Sequence, residues 1–85
     1  MHYVYIIRNE KGELYYGYTN DLRKRLDQHN SSFVFSTRQH RWKLIYYESY
    51  LSKRDALTRE GKLKRYGQSL SHLKNRIKYS LTLTH

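Results

Sequence analysis

Tyr3-Val4-Tyr5-Ile6-Ile7-Arg8-Asn9-Glu10-Lys11-Gly12-Glu13-Leu14-Tyr15-Tyr16-Gly17-Tyr18 decides the fold of this chain. Residues 2–8 are dense in β-formers, and Asn9-Glu10-Lys11-Gly12 is a turn signal in which glycine can take a positive φ. Residues 14–18 then return as a second strand, so the stretch predicts a hairpin. Alternation puts Tyr3, Tyr5 and Ile7 on one face, with Val4 and Ile6 on the other. A three-residue loop Glu10-Lys11-Gly12 would make Tyr5 and Tyr15 diagonal neighbours on one face. A loop of two or four residues would separate them, and taken alone the tyrosines read as sheet packing rather than catalysis.

Working outward, Asn20 is placed to cap a helix with Asp21 in its first turn, where a carboxylate favours the helix dipole. That helix is expected to run to about Asn30. A polar stretch from Ser31 to Arg41 follows, anchored by Phe33 and Phe35. Trp42 to Glu48 reads as the third strand. Ser52, with Asp55 three residues on, opens a second helix in a capping-box arrangement, ending near Tyr66 at the natural stop Gly67. Ser69 or Ser71 opens a third, in which Leu70, Leu73 and Ile77 recur at helical spacing. The expected fold class is α/β in the α+β sense: a small three-stranded antiparallel sheet flanked by three helices, in the order β-β-α-β-α-α.

With 85 residues the chain is a single domain spanning residues 1–85, and its 38% hydrophobic content, rich in tyrosine, allows only a small core. No apolar run approaches the roughly 18–20 residues that span a membrane. The N-terminus reads as a strand rather than a signal peptide, and the cytoplasm is the expected location. There is no cysteine, and the five histidines are scattered without a ligand pattern, which argues against zinc. The net charge of +10 is uneven. Residues 1–30 hold five basic and four acidic side chains, whereas residues 31–85 hold twelve and three. Such asymmetry points to a polyanion met mainly by the second half, with Arg38, Arg41, Lys62, Lys64 and Arg65 as the expected nucleic-acid contacts.

On the first helix, Arg25 and His29 border the apolar stripe of Leu22 and Leu26, one turn apart, where they can reach one common ligand such as a phosphate. The alternative is local: Arg25 pairs with Asp21, and His29 is a half-buried helix-end residue. On the second helix, Glu60 lies in the stripe of Ala56 and Leu63. A carboxylate there needs a cation, a donor or a metal. Arg59 and Lys64 project elsewhere on the helical wheel, and a structural salt bridge and a single hard cation remain equal readings. Gly61, costly in a helix interior, suggests a close approach.

Together these residues resemble the GIY-YIG nuclease family, particularly its small stand-alone members. Tyr3-Val4-Tyr5 occupies the place of the first triplet and Tyr15-Tyr16-Gly17 that of the second. Arg25 and His29 match the helix positions, and Ala56 to Lys64 matches the helix with the metal-binding glutamate. Tyr3 and Tyr16 depart from the usual glycine and aliphatic residue, and Asn75 is a candidate for a polar residue the family carries late in the chain. The resemblance implies hydrolysis of DNA phosphodiesters in repair or recombination, with Mg²⁺ or Mn²⁺ held by Glu60. It gives Tyr5, Tyr15, Arg25 and His29 the catalytic roles, with a phenolate on Tyr5 favoured by the metal and Arg25. DNA is favoured over RNA, with a monomer and no obligate protein partner. The other reading is a nucleic-acid-binding module that keeps the fold and cleaves little.

Overall fold

The computed structural model describes residues 1–31, 40–65 and 67–82. Its sheet has three antiparallel strands in the order β2-β1-β3, with β1 at His2–Asn9, β2 at Leu14–Thr19 and β3 at Trp42–Tyr50. The central strand carries the unbroken buried run Val4-Tyr5-Ile6-Ile7 because helices cover it on both faces. Helix α1 (Leu22–Asn30) joins β2 to β3, and α2 (Lys53–Arg65), α3 (Gly67–Arg76) and α4 (Lys78–Thr82) follow.

The hairpin closes through the three-residue loop that the sequence allows. Asn9 N–H donates to the Glu13 carbonyl and Gly12 N–H to the Asn9 carbonyl, both at 3.0 Å. Gly12 takes φ +83°, a conformation that costs other residues a steric penalty. The Asn9 side chain holds the loop from inside: its Oδ1 accepts from the backbone of Lys11 and Glu13, and its Nδ2 donates to Glu13. The resulting register pairs Tyr5 with Gly17 and Ile7 with Tyr15. Tyr5 and Tyr15 therefore share a face as diagonal neighbours.

The two faces bury separate clusters. Tyr5, Ile7 and Trp42, with Tyr15, Leu22, Leu26 and Leu44, pack under α1. Val4 and Ile6 meet Ala56, Leu63 and Leu73 of α2 and α3 on the other face. Strand β3 carries an irregularity, since Ile6 pairs with Tyr46 but Ile7 with Leu44. The extra residue Ile45 resets the alternation, so Ile45 and Tyr46 both pack toward the α2 face while Leu44 stays under α1.

Several boundaries differ from expectation. Asp21, not Asn20, caps α1, accepting from Lys24 N–H at 3.1 Å. The cause is Thr19, whose hydroxyl accepts from Asp21 N–H and draws Asn20 into the turn. Helix α3 begins at Gly67, ahead of both candidate serines, so Gly67 starts a helix rather than only ending one. The expected third helix is divided into α3 and α4 at Ile77, yet Ile77 N–H bonds to Leu73 and Leu81 N–H to Ile77, so helical bonding brackets the break. Phe33, Phe35, Arg38 and Tyr66 lie outside the described residues. No described helix is long and apolar enough to cross a membrane.

Gly61 does not mark a close approach: a Cβ there would meet no described atom within 4 Å. Gly61→Ala should therefore raise stability by up to about 1 kcal/mol, whereas Gly12→Ala should lower it by about 1 kcal/mol. Urea midpoints of the two variants check both signs.

Candidate active site

The site is organised around a single buried pair. The Tyr5 hydroxyl lies 2.8 Å from His29 Nε2, and the two residues are 3% and 1% exposed. Tyr5 comes from the middle of β1 and His29 from the last turn of α1, so the bond ties the sheet to its covering helix. Gly17 makes it possible. A Cβ at that position would sit closer than 3.0 Å to the Tyr5 ring, which crosses the space a side chain on β2 would fill.

Aromatic rings enclose the imidazole. The Tyr15 ring meets His29 edge-on at 4.9 Å between centroids, and the Trp42 centroid lies at 6.5 Å. Trp42 is fixed in turn by Asn30, which donates to the Trp42 carbonyl at 3.0 Å and accepts from its N–H at 2.6 Å. The C-terminal end of α1 is thereby clamped to the first residue of β3.

Burial sets the protonation states. Desolvation, aided by the positive charge of Arg25, pulls the His29 pKa down to about 4. The imidazole is thus neutral at neutral pH, and its Nε2 can accept the Tyr5 proton. Desolvation also raises the Tyr5 pKa above its ordinary value; Arg25 opposes the rise, while Tyr15 and Glu60 add to it. Tyr5 is accordingly a phenol in the free protein, and Arg25 alone does not make it the expected phenolate. Arg25 and Glu60 thus both act electrostatically on the Tyr5 hydroxyl.

Glu60 is half-buried and pairs with Lys64 at 3.3 Å through Oε2. Arg59, its other sequence neighbour, instead binds Glu48. The expectation that Lys64 projects away from Glu60 fails because a lysine stem spans one helical turn at i, i+4. Lys64 Nζ also lies 6.0 Å from the Tyr15 ring centroid. Helix α2 and Tyr15 belong to opposite faces of the sheet, so they can meet only past its β2 edge. Both helix layers therefore approach each other round the β2 edge.

Among the described residues no group of three His, Asp or Glu side chains could hold a metal unaided. A lone carboxylate fits a hard cation that keeps several waters and takes substrate oxygens, and the ion pair engages only one oxygen of Glu60. Of the expected nucleic-acid contacts, Arg41, Lys62, Lys64 and Arg65 are exposed. Lys62 and Lys64 project from opposite flanks of α2, so they do not form one surface. Arg41 lies beside the hairpin loop, where Glu10 accepts from its backbone N–H at 2.7 Å and from His40 at 2.6 Å. Asn75 is exposed on α3. The wall formed by Trp42 and the slot at Gly17 had no readable signal in the sequence; the Glu60–Lys64 spacing did.

Comparison with known proteins identifies the family. The GIY-YIG catalytic domain model matches residues 1–75. A UPF0213 protein of Bacillus pumilus is 40% identical over 65 residues, 74% of this chain and 66% of that protein. One from Staphylococcus saprophyticus is 33% identical over 69 residues, 79% of this chain and 84% of the relative. The solution NMR structure of a UPF0213 protein from Bacillus halodurans aligns over 98% of both chains, with 28% identity and a TM-score of 0.51.

Gly17→Ala should cost about 1–3 kcal/mol, because the Tyr5 ring has to leave its slot or its rotamer; chemical denaturation measures it, and an unchanged midpoint would contradict the packing. The pH dependence has a defined sign. His29 has a folded pKa near 4 against an ordinary 6.5, so its contribution is complete above about pH 6.5 and is lost as pH falls toward 4. The loss should be on the order of 3 kcal/mol. Glu10, held down to about 2 by the Arg41 backbone N–H and by His40, loses its contribution only from about 4.5 downward. Urea midpoints taken between pH 7 and 4.5 should fall in the wild type and flatten in His29→Gln.

Proposed function

This chain belongs to the GIY-YIG family, and on that footing we propose that it hydrolyses DNA phosphodiesters with one divalent cation, Mg²⁺ or Mn²⁺, at Glu60. The observation that carries the reading is the Tyr5–His29 hydrogen bond, enclosed by aromatic rings and acted on by both Arg25 and Glu60.

The chain's own groups suit such a reaction. Tyr5 would accept a proton from the attacking water as its own hydroxyl proton passes to neutral His29 Nε2. That relay removes the need for a standing phenolate. Arg25 would neutralise charge growing on the phosphoryl oxygens. The Tyr15 hydroxyl would orient the water and the phosphate. Glu60 would hold the cation, which when bound supplies charge stabilisation at the leaving oxygen. Lys64 would then be released from Glu60 toward the substrate backbone. We place the activity in DNA repair or recombination, carried out by a cytoplasmic monomer without an obligate protein partner. The excess of basic residues after position 30 supports a polyanionic substrate.

A second reading draws on the Glu60–Lys64 pair. If the ammonium is not displaced, the protein binds nucleic acid and cuts little.

Nicking of supercoiled plasmid and cleavage of branched DNA, with Mg²⁺ or Mn²⁺, separate the two. Tyr5→Phe keeps the ring in its slot and removes only the proton path, so its rate should drop by about 10²-fold or more. Glu60→Ala should lose metal-dependent cleavage while unfolding at a wild-type midpoint or above. Equal rates in wild type and Glu60→Ala would remove the assigned metal site. Metal-independent binding with no cleavage by the wild type would favour the second reading.

A further inference from the structure

The second flank of α2 leads to a different cluster. Between α2 and α3 lies a hollow of about 500 Å³ lined by Arg59, Lys62, Gln68, Ser69, His72 and Arg76, with Leu73 at its floor. Glu60 and Lys64 leave α2 on the side of Tyr15, whereas Arg59 and Lys62 leave it on the other side. The hollow is thus separate from the Tyr5–His29 site.

No acid lines it among the described residues. Glu48 is the acid that reaches it, and Glu48 is fully engaged: it accepts from Tyr46 at 2.6 Å, from Tyr50 at 2.5 Å, and from Arg59 Nε and Nη2 at 2.9 and 3.0 Å. Burial alone would raise its pKa, yet the bonds from Arg59, Tyr46 and Tyr50 keep it lowered and ionised. The arrangement neutralises Arg59 and fixes its plane, while the Nη1 edge is not used by Glu48. Lys62 and Arg76 form no ion pair among the described residues. Asp55 lines only the adjoining hollow, with Tyr50, Thr58, Arg59 and Lys62.

Lys62, Arg76, a fixed guanidinium edge, an amide, a hydroxyl and an imidazole stand around one concavity, with no acid among the described residues that line it. A tetrahedral phosphate oxyanion suits such a set, because it can take several donors from different directions. We propose that the hollow between α2 and α3 is a second phosphate site, which holds a phosphodiester of the bound nucleic acid away from the bond being cut. The site rests on the reading that the substrate is nucleic acid. Helix α2 with its side chains is about 10–12 Å wide, roughly three steps along one strand. A strand crossing α2 at Arg65 would therefore touch both flanks.

The test is binding of a fluorescent 20-base-pair duplex in metal-free buffer over a salt series, with amide NMR shifts followed in the same titration. Lys62→Gln/Arg76→Gln should weaken binding and make the salt dependence of log K shallower by about 2. Lys62→Arg/Arg76→Lys should restore both. In the wild type, duplex should shift the amides of Ser69, His72 and Arg76. An unchanged slope in the double variant overturns the proposal, as does inorganic phosphate alone shifting these amides when duplex does not. Metal-free binding is independent of cleavage. Duplex shifts at Tyr15 and His29 but not in the hollow would overturn the second site and leave the nuclease reading standing. Shifts in the hollow with no metal-dependent cleavage would do the reverse.

Discussion

A hydroxyl and an imidazole buried against each other at 2.8 Å set the terms for the rest of this fold. Neither Tyr5 nor His29 could be buried unpaired without a cost of a few kcal/mol, so β1 and α1 have to be in register with each other. That requirement passes outward. Gly17 leaves room for the ring, the three-residue hairpin loop places Gly17 opposite Tyr5, and the Asn30–Trp42 clamp holds the end of α1 at the right height. The same burial keeps His29 neutral at neutral pH.

Much of this was legible in the sequence because the deciding features are local. The turn signal at Asn9-Glu10-Lys11-Gly12 was readable but left the loop length open, and the three-residue loop of the structure settles that Tyr5 and Tyr15 share a face. The helical stripe of Leu22 and Leu26 placed Arg25 and His29 on the edge of the sheet-facing side. What escaped depends on contacts between distant segments. The irregularity at Ile45 answers to the partner strand, and Trp42 becomes a wall of the His29 box only after β3 docks. The cap moved to Asp21 because Thr19, counted as outside the strand, is buried within it. Lys64 was assigned away from Glu60, although positions i and i+4 lie only about 40° apart on a helix and so share a face.

Helix α2 divides the basic surface more sharply than composition suggests. One flank carries Glu60 and Lys64 round the β2 edge to the aromatic site. The other carries Arg59 into the Glu48 network and Lys62 toward α3. The uneven charge along the chain therefore becomes two distinct fields, one beside Glu60 and one beside the engaged Glu48 and Asp55. A polyanion could engage both only by crossing the helix.

The central claim is that His29 is a neutral acceptor for Tyr5. Nitrogen-15 NMR of the His29 ring at pH 7 tests it most directly. The account predicts a neutral imidazole protonated on Nδ1, with Nε2 bare and hydrogen-bonded, and the ring titrating near pH 4. An imidazolium at pH 7, or a proton resident on Nε2, would contradict it.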